Sequence, residues 1–155
     1  MVAGFMRQAI ELSIENVRSG KGGPFAALVV KDGEIIGVGT NQVTSTFDPT
    51  AHAEIVAIRQ ACRKLSQFQL PGCVIYTSCE PCPMCLGAIY WARPLRVYFG
   101  NTQSDAAKIG FDDSFIYQQL SLKASERAIP MLQLLPEEAL TAFAEWEKKP
   151  DRVSY

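Results

Sequence analysis

Residues 25–39 read FAALVVKDGEIIGVG, and the rest of the fold can be worked out from this run. Two apolar stretches, Phe25 to Val30 and Ile35 to Gly39, flank the turn Lys31-Asp32-Gly33-Glu34. Asp-Gly tolerates the positive φ of a two-residue hairpin loop, so the run predicts a β-hairpin. Ala26, Ala27, Leu28, Val29 and Val30 are apolar without alternation, the pattern of a strand covered on both faces. Helices must therefore lie above and below the sheet. Upstream, Phe5, Ala9, Leu12 and Val17 fall at helical spacing, and Gly20 with Gly22-Gly23 ends the run. Met1 to Ser19 is thus expected to be an amphipathic helix lying on the sheet.

Downstream, Asp48 or Thr50 can cap a helix whose first position suits Pro49, which puts His52 and Glu54 in or near a first helical turn. A strand from Cys73 to Ser78 follows the Pro71-Gly72 turn. A helix then starts at Pro81 or Pro83 and runs to Ala92, where Pro94 stops it, with Cys82 and Cys85 near its start. Arg96 to Phe99 and Ile129 to Leu134 read as further strands. Pro136 to Lys148 reads as a closing helix with Leu140, Phe143 and Trp146 on one side. This order predicts a single α/β domain over 1–155, a three-layer α/β/α sandwich around a mixed five-stranded sheet.

Composition narrows the function. A chain of 155 residues with 48% apolar and 20% charged side chains can bury a full core without disulfides. A net charge of -1 and a pI near 5.8 give no general field for gathering polyanions, so a small molecule is expected as ligand and not a nucleic acid. Arg7, Glu11, Glu15 and Arg18 interrupt the N-terminal segment, which therefore matches neither a signal peptide nor a membrane span. The expected location is the cytoplasm, with no membrane partner. There, five cysteines suggest free thiols or metal ligands before disulfides.

The chemistry concentrates in two short motifs, His52-Ala53-Glu54 and Cys82-Pro83-Met84-Cys85. Taken alone, the cysteine pair has two plainer readings, a thioredoxin-like redox pair or half of a structural zinc site. Together with His52, the chain's one histidine, it supplies the three ligands of a catalytic zinc whose fourth position stays open for water. Residues three apart share a helix face, and the positive end of the helix favours thiolates. Glu54 lies about 200° from His52 around a regular helix of ~3.6 residues per turn, so it suits a carboxylate beside the metal's water and not a fourth ligand. Cys79 continues the three-residue spacing and could instead close a structural site, although Pro81 breaks the common face. Cys62 and Cys73 read as small buried apolar residues.

His52-x-Glu54 followed by Pro81-Cys82-x-x-Cys85 resembles the signature of the zinc-dependent cytidine deaminase superfamily. The longer stretches GGPFAALVVKDG, DPTAHAEIVAIR, TSCEPCPMCLGAIYWARP and GFDDSFIY look like the bacterial guanine deaminases within it. The likeness is dense from Gly22 to Tyr117 and thinner beyond Leu120. The resemblance implies zinc held by His52, Cys82 and Cys85. It implies hydrolytic deamination of guanine to xanthine and ammonia by zinc-activated water, with Glu54 as proton shuttle. It further implies that Ala53 lines the pocket, that Asn41 grips the base, and that Asp113 and the C-terminal Tyr155 reach the purine; Asp112 is the neighbouring carboxylate. Guanine's ring N–H and exocyclic amine form a donor pair that one carboxylate can accept, a pair adenine lacks.

Phe25, Phe47 and Trp91 are candidates to stack on a flat base. Phe25 and Trp91 could equally be core, whereas Phe47 stands in a polar loop. Two positions depart from the family pattern: Ala26, where a second glycine is common, and Gln42, where a second asparagine is. The resemblance also implies a homodimer in which the closing helix and tail, about 136–155, exchange between subunits and carry Tyr155 to the partner's pocket. The rival functions are deamination of another base or nucleoside (cytosine, guanosine or an aminotriazine) and a structural or redox zinc module.

Overall fold

In the hairpin of the computed structural model, which describes residues 2–155, Ala26–Lys31 (β1) pairs antiparallel with Glu34–Thr40 (β2), closing on Lys31 opposite Glu34. Asp32 and Gly33 between them both have positive φ, 50° and 83°, as the turn chemistry requires. Val2–Arg18 forms α1; Met1, which the sequence reading includes in this helix, lies outside the described residues. Val43–Thr46 (α2) is a single turn, and Ala53–Leu65 is α3. Val74–Cys79 (β3), Pro83–Ala92 (α4), Arg96–Asn101 (β4) and Gln103–Lys108 (α5) follow.

The sheet order is β2-β1-β3-β4. Since β1 is antiparallel to both β2 and β3, and β4 is parallel to β3, the strands β2, β3 and β4 all end at one edge of the sheet. Thr40, Cys79 and Asn101 lie there, beside the start of β1 at Ala26. The crevice outside carboxyl ends of strands is where α/β sheets place their ligands.

All five apolar residues from Ala26 to Val30 are buried, as the unbroken pattern predicts. Alternate side chains divide between two cores. Ala27 and Val29 join Ile75, Ala53, Ala57, Ala61, Ile89 and Ala92 on the face of α3 and α4. Leu28 and Val30 join Tyr76 and Ala9, with Phe5, Met6 and Leu12 packed alongside, on the face of α1. The chain is therefore a three-layer α/β/α structure around a mixed sheet. Small residues at every fourth position of α3 let it sit directly on β2. A Cβ added to Gly39 would collide with the Ala53 carbonyl oxygen, and one on Gly37 with that of Ala57.

The structure corrects three expectations. Val17 is half-exposed, and Asn16 is buried in its place, because the helical repeat from Phe5 through Ala9 and Leu12 continues to 16 and not to 17. The helix carrying Glu54 begins at Ala53, with His52 as its N-cap. Asp48 instead closes a local turn, its Oδ1 accepting from Thr50 N at 2.8 Å and Thr50 Oγ1 at 2.7 Å, so neither Asp48 nor Thr50 caps α3 and Pro49 is not in it. Finally, the sheet has four strands and not five. Ile129 to Leu134 is irregular; Pro130 has no N–H for a ladder, and Ile129, Leu132 and Leu134 are exposed.

The chain divides into two compact units, one ending at Asp113 and one of Ser114–Tyr155. The second contains Ser114–Ser121 (α6), a 3₁₀ turn at Ala124–Glu126 and Pro136–Lys148 (α7). In it only Gln119 and Arg127 are half-buried, and every other residue is exposed. Among the described residues, no helix is long and apolar enough to cross a membrane.

Candidate active site

Two helix N-termini meet at the sheet edge where β2, β3 and β4 end. His52 is the N-cap of α3 and Cys82 the N-cap of α4, both with extended backbones, and Pro83 fills the first turn of α4, the position where proline's missing N–H does no harm. Cys85 lies one turn into α4 and is fully buried. His52 Nδ1 is 3.5 Å from Cys82 Sγ and 3.5 Å from Cys85 Sγ. The three ligand atoms lie within 4.8 Å of one another.

These separations fit zinc. Bonds of ~2.0–2.1 Å to nitrogen and ~2.3 Å to sulfur at a tetrahedral angle put N and S about 3.6 Å apart. One imidazole and two thiols also leave the fourth direction free. Cys79 does not fill it: its Sγ turns to the Thr102 carbonyl at 3.8 Å, and burial pushes the thiol up to about 11. The closed four-ligand alternative thus lacks its ligand. Cys73 is fully buried and Cys62 packs at the edge of the core, as expected of small apolar side chains, and all five cysteines are free thiols.

Charge is arranged accordingly. The neighbouring Cys85 side chain pulls Cys82 down to about 4, with His52 reinforcing it. The same interaction, helped by burial, pushes Cys85 upward. His52 is raised chiefly by its contact with Cys82. The site accordingly holds a thiolate at neutral pH before any cation arrives, next to the positive ends of two helices. Glu54, in the first turn of α3, is buried. Cys85 Sγ donates to its Oε2 at 3.4 Å, and desolvation raises its carboxyl above the ordinary range. A carboxyl beside the candidate ligands is placed to take and return a proton.

The remaining candidates are distributed unevenly. Ala53 is fully buried between His52 and Glu54. Asn41 is buried at the end of β2; its Oδ1 accepts from Val43 N at 3.3 Å, leaving its amide nitrogen as the end able to donate to a ligand. Phe25 is half-buried, tied to Asn41 through Asn41 N to Phe25 O at 3.0 Å. Its ring meets Phe111 edge-on at 4.9 Å. Asp113 is half-buried, accepts from Gln103 Nε2 at 2.6 Å, and is close enough to raise Cys79, as is Glu54. Phe47 is 94% exposed in a left-handed conformation, while Trp91 on α4, Asp112 and Tyr155 are also exposed.

Sequence reading missed the supports. Asn16 of α1 donates through Nδ2 to Gly23 O at 2.8 Å and to Asn41 O at 2.9 Å. Glu80 Oε2 accepts from Gln103 N at 2.9 Å. The one signal in the sequence was a polar residue, Asn16, falling on the apolar repeat of the first helix.

Comparison with known proteins agrees with this geometry. The family model of the cytidine and deoxycytidylate deaminase zinc-binding region matches residues 2–101. Guanine deaminase of Bacillus subtilis is 52% identical over 151 residues, 97% of each chain. A crystal structure of guanine deaminase from that organism superposes with a TM-score of 0.96 at 52% identity, covering 99% of this chain and 98% of that one. A guanine deaminase from Nitrosomonas europaea has a TM-score of 0.67 at 37% identity, covering 70% of this chain and 63% of that one. The tRNA-specific adenosine deaminase of Aquifex aeolicus is 47% identical over only 76 residues, 49% of this chain and 50% of its own.

Proposed function

Because the chain belongs to the cytidine and deoxycytidylate deaminase zinc-binding family, we propose that it hydrolyses guanine to xanthine and ammonia with His52, Cys82 and Cys85 as zinc ligands. Bound there, zinc acidifies water so that a nucleophile is available at neutral pH. Glu54 takes one proton of the attacking water and delivers it to ring nitrogen 3 as the oxygen adds to carbon 2. It then passes the second proton to the exocyclic nitrogen, and the carbon–nitrogen bond breaks to release ammonia. Both hydrogens of water are accounted for, and Glu54 ends as it began. Its burial keeps bulk water from competing for these protons.

Asp113 accepts from the guanine ring N–H and amine, and Asn41 donates to the opposite side of the base. Ala53 lines the floor of the pocket. Phe25, Phe47 and Trp91 are the aromatics for stacking. The observation that carries guanine over adenosine is the closeness of the similarity. The Bacillus guanine deaminase is 52% identical over 97% of this chain and superposes with a TM-score of 0.96, whereas a structure from work on tRNA:A34 deaminases reaches 32% identity over 83% of this chain at a TM-score of 0.64. Balanced charge is likewise poor footing for a tRNA backbone. Zinc-loaded protein incubated with guanine, cytosine, guanosine and an aminotriazine should release xanthine from guanine fastest; ammonia from another compound alone would overturn the assignment.

The same reading makes the protein a cytoplasmic homodimer, with residues 136–155 crossing to the other subunit so that Tyr155 meets its pocket. The support is a second unit that buries none of its residues, with Leu140, Phe143 and Trp146 of α7 left 59%, 70% and 44% exposed. Sedimentation as a single 17.1 kDa species would remove this assembly.

A further inference from the structure

We propose that Gln103 is a positioning residue that fixes the Asp113 carboxylate in the orientation from which it reads the base. The proposal rests on Asp113 as the reader of guanine, as set out above. Gln103 opens α5 directly beyond the end of β4, at the edge of the sheet that carries the metal ligands. Its backbone is held from two directions. Thr102, the residue before it, forms a complete capping box with Asp105, Asp105 N to Thr102 Oγ1 at 3.2 Å and Thr102 N to Asp105 Oδ2 at 3.0 Å. Gln103 N itself donates to Glu80 Oε2 at 2.9 Å, and Glu80 N donates to Asn101 O at 2.8 Å. Glu80 belongs to the short connection that leads to Cys82, so the start of α5 is registered against the metal-binding loop.

From this anchored position Gln103 Nε2 donates to Asp113 Oδ1 at 2.6 Å, in partly buried surroundings. The segment bearing Asp113 is held at its other end by Phe111 against Phe25. A carboxylate offers about four lone-pair directions. With one taken by Gln103, the others remain for the ring N–H and the amine, and the side chain no longer has to be ordered when the base arrives. An amide is suited to this task because it donates without cancelling the carboxylate's charge. Gln103 touches no reacting atom, so its effect belongs to binding.

The test is steady-state kinetics on guanine for zinc-loaded Gln103→Leu, Gln103→Glu, Asp113→Ala and the double variant Gln103→Leu/Asp113→Ala, with thermal unfolding of each alongside. A hydrogen bond to a charged group corresponds to roughly a 10- to 100-fold effect. The expected result is a rise of about that size in KM for Gln103→Leu, with kcat within about 3-fold, and no further rise when the change is added to Asp113→Ala. Gln103→Glu keeps the volume but opposes one carboxylate with another, so its KM should rise at least as much, and it carries the test if the leucine variant does not fold. Unchanged KM in both Gln103 variants, or a Gln103→Leu effect that persists undiminished without Asp113, overturns the proposal. An Asp113→Ala protein with parental KM removes the reader itself and this proposal with it, a result distinguishable from the others by that single variant.

Discussion

Asn16→Ala should cost this protein more than a polar-to-alanine change on a helix ordinarily does. The side chain is buried, and its one amide nitrogen serves two carbonyls, Gly23 O at 2.8 Å and Asn41 O at 2.9 Å. It thereby ties the loop before β1 to the end of β2. Alanine removes the donor and strands the Asn41 carbonyl, whereas the Gly23 carbonyl keeps Phe25 N at 2.8 Å. A buried acceptor without a partner costs about 1–3 kcal/mol, and the lost second bond to Gly23 O adds about 0.5–1 kcal/mol. The sum is about 1.5–4 kcal/mol, which for a domain of this size lowers Tm by roughly 3–16 °C. Guanidinium unfolding at fixed protein and saturating zinc reads it directly, since metal binding otherwise shifts the midpoint. Asn16→Asp separates donor loss from volume loss. It preserves shape but sets carboxylate oxygens against two carbonyl oxygens, and should be worse than alanine at neutral pH. A loss under about 0.5 kcal/mol for alanine, or an aspartate variant as stable as the parent, would refute the double hydrogen bond as the reason for this residue.

Glu54→Gln should retain one equivalent of zinc by metal analysis yet lose at least about 10²-fold in kcat, the scale of a lost proton shuttle; near-parental turnover would contradict the shuttle. In zinc-stripped protein, Cys82, held down to about 4 chiefly by the Cys85 thiol, is already thiolate throughout pH 6–8. Its alkylation rate should be flat over that range, whereas an unperturbed thiol speeds up as pH rises toward its ordinary value near 8.5, and added zinc should suppress the reaction. Gly39→Ala drives a methyl group into the Ala53 carbonyl at the start of α3. It should destabilise by about 1–3 kcal/mol and, by displacing the helix end that carries His52, weaken zinc retention in a chelator competition.

What could be read from the sequence shares one physical property, locality. The hairpin announces itself because Asp32-Gly33 satisfies its turn within four residues. The metal ligands do so because each sits at a helix start marked by its neighbours, His52 before Ala53-Glu54 and Cys82 before Pro83. An error of two to four residues in the start of α3 did not matter, since a ligand at the N-cap still faces the sheet edge. Ile129 to Leu134 misled for the complementary reason: apolar content says a segment seeks burial, not that its backbone seeks a ladder, and Pro130 withdraws a donor from one. Gln103 lay beyond reach, and Asn16 showed only as a polar residue on an apolar repeat, because their partners are 10 and 25 residues away and a hydrogen bond across such a gap leaves no pattern that names its partner. The groups proposed to make and break bonds stand in short motifs at helix ends, while those proposed to aim them are recruited across the fold. A change at Asn16 or Gln103 would therefore leave every motif intact and still alter how the site meets a base, which makes these two positions the sharper probes of the structure.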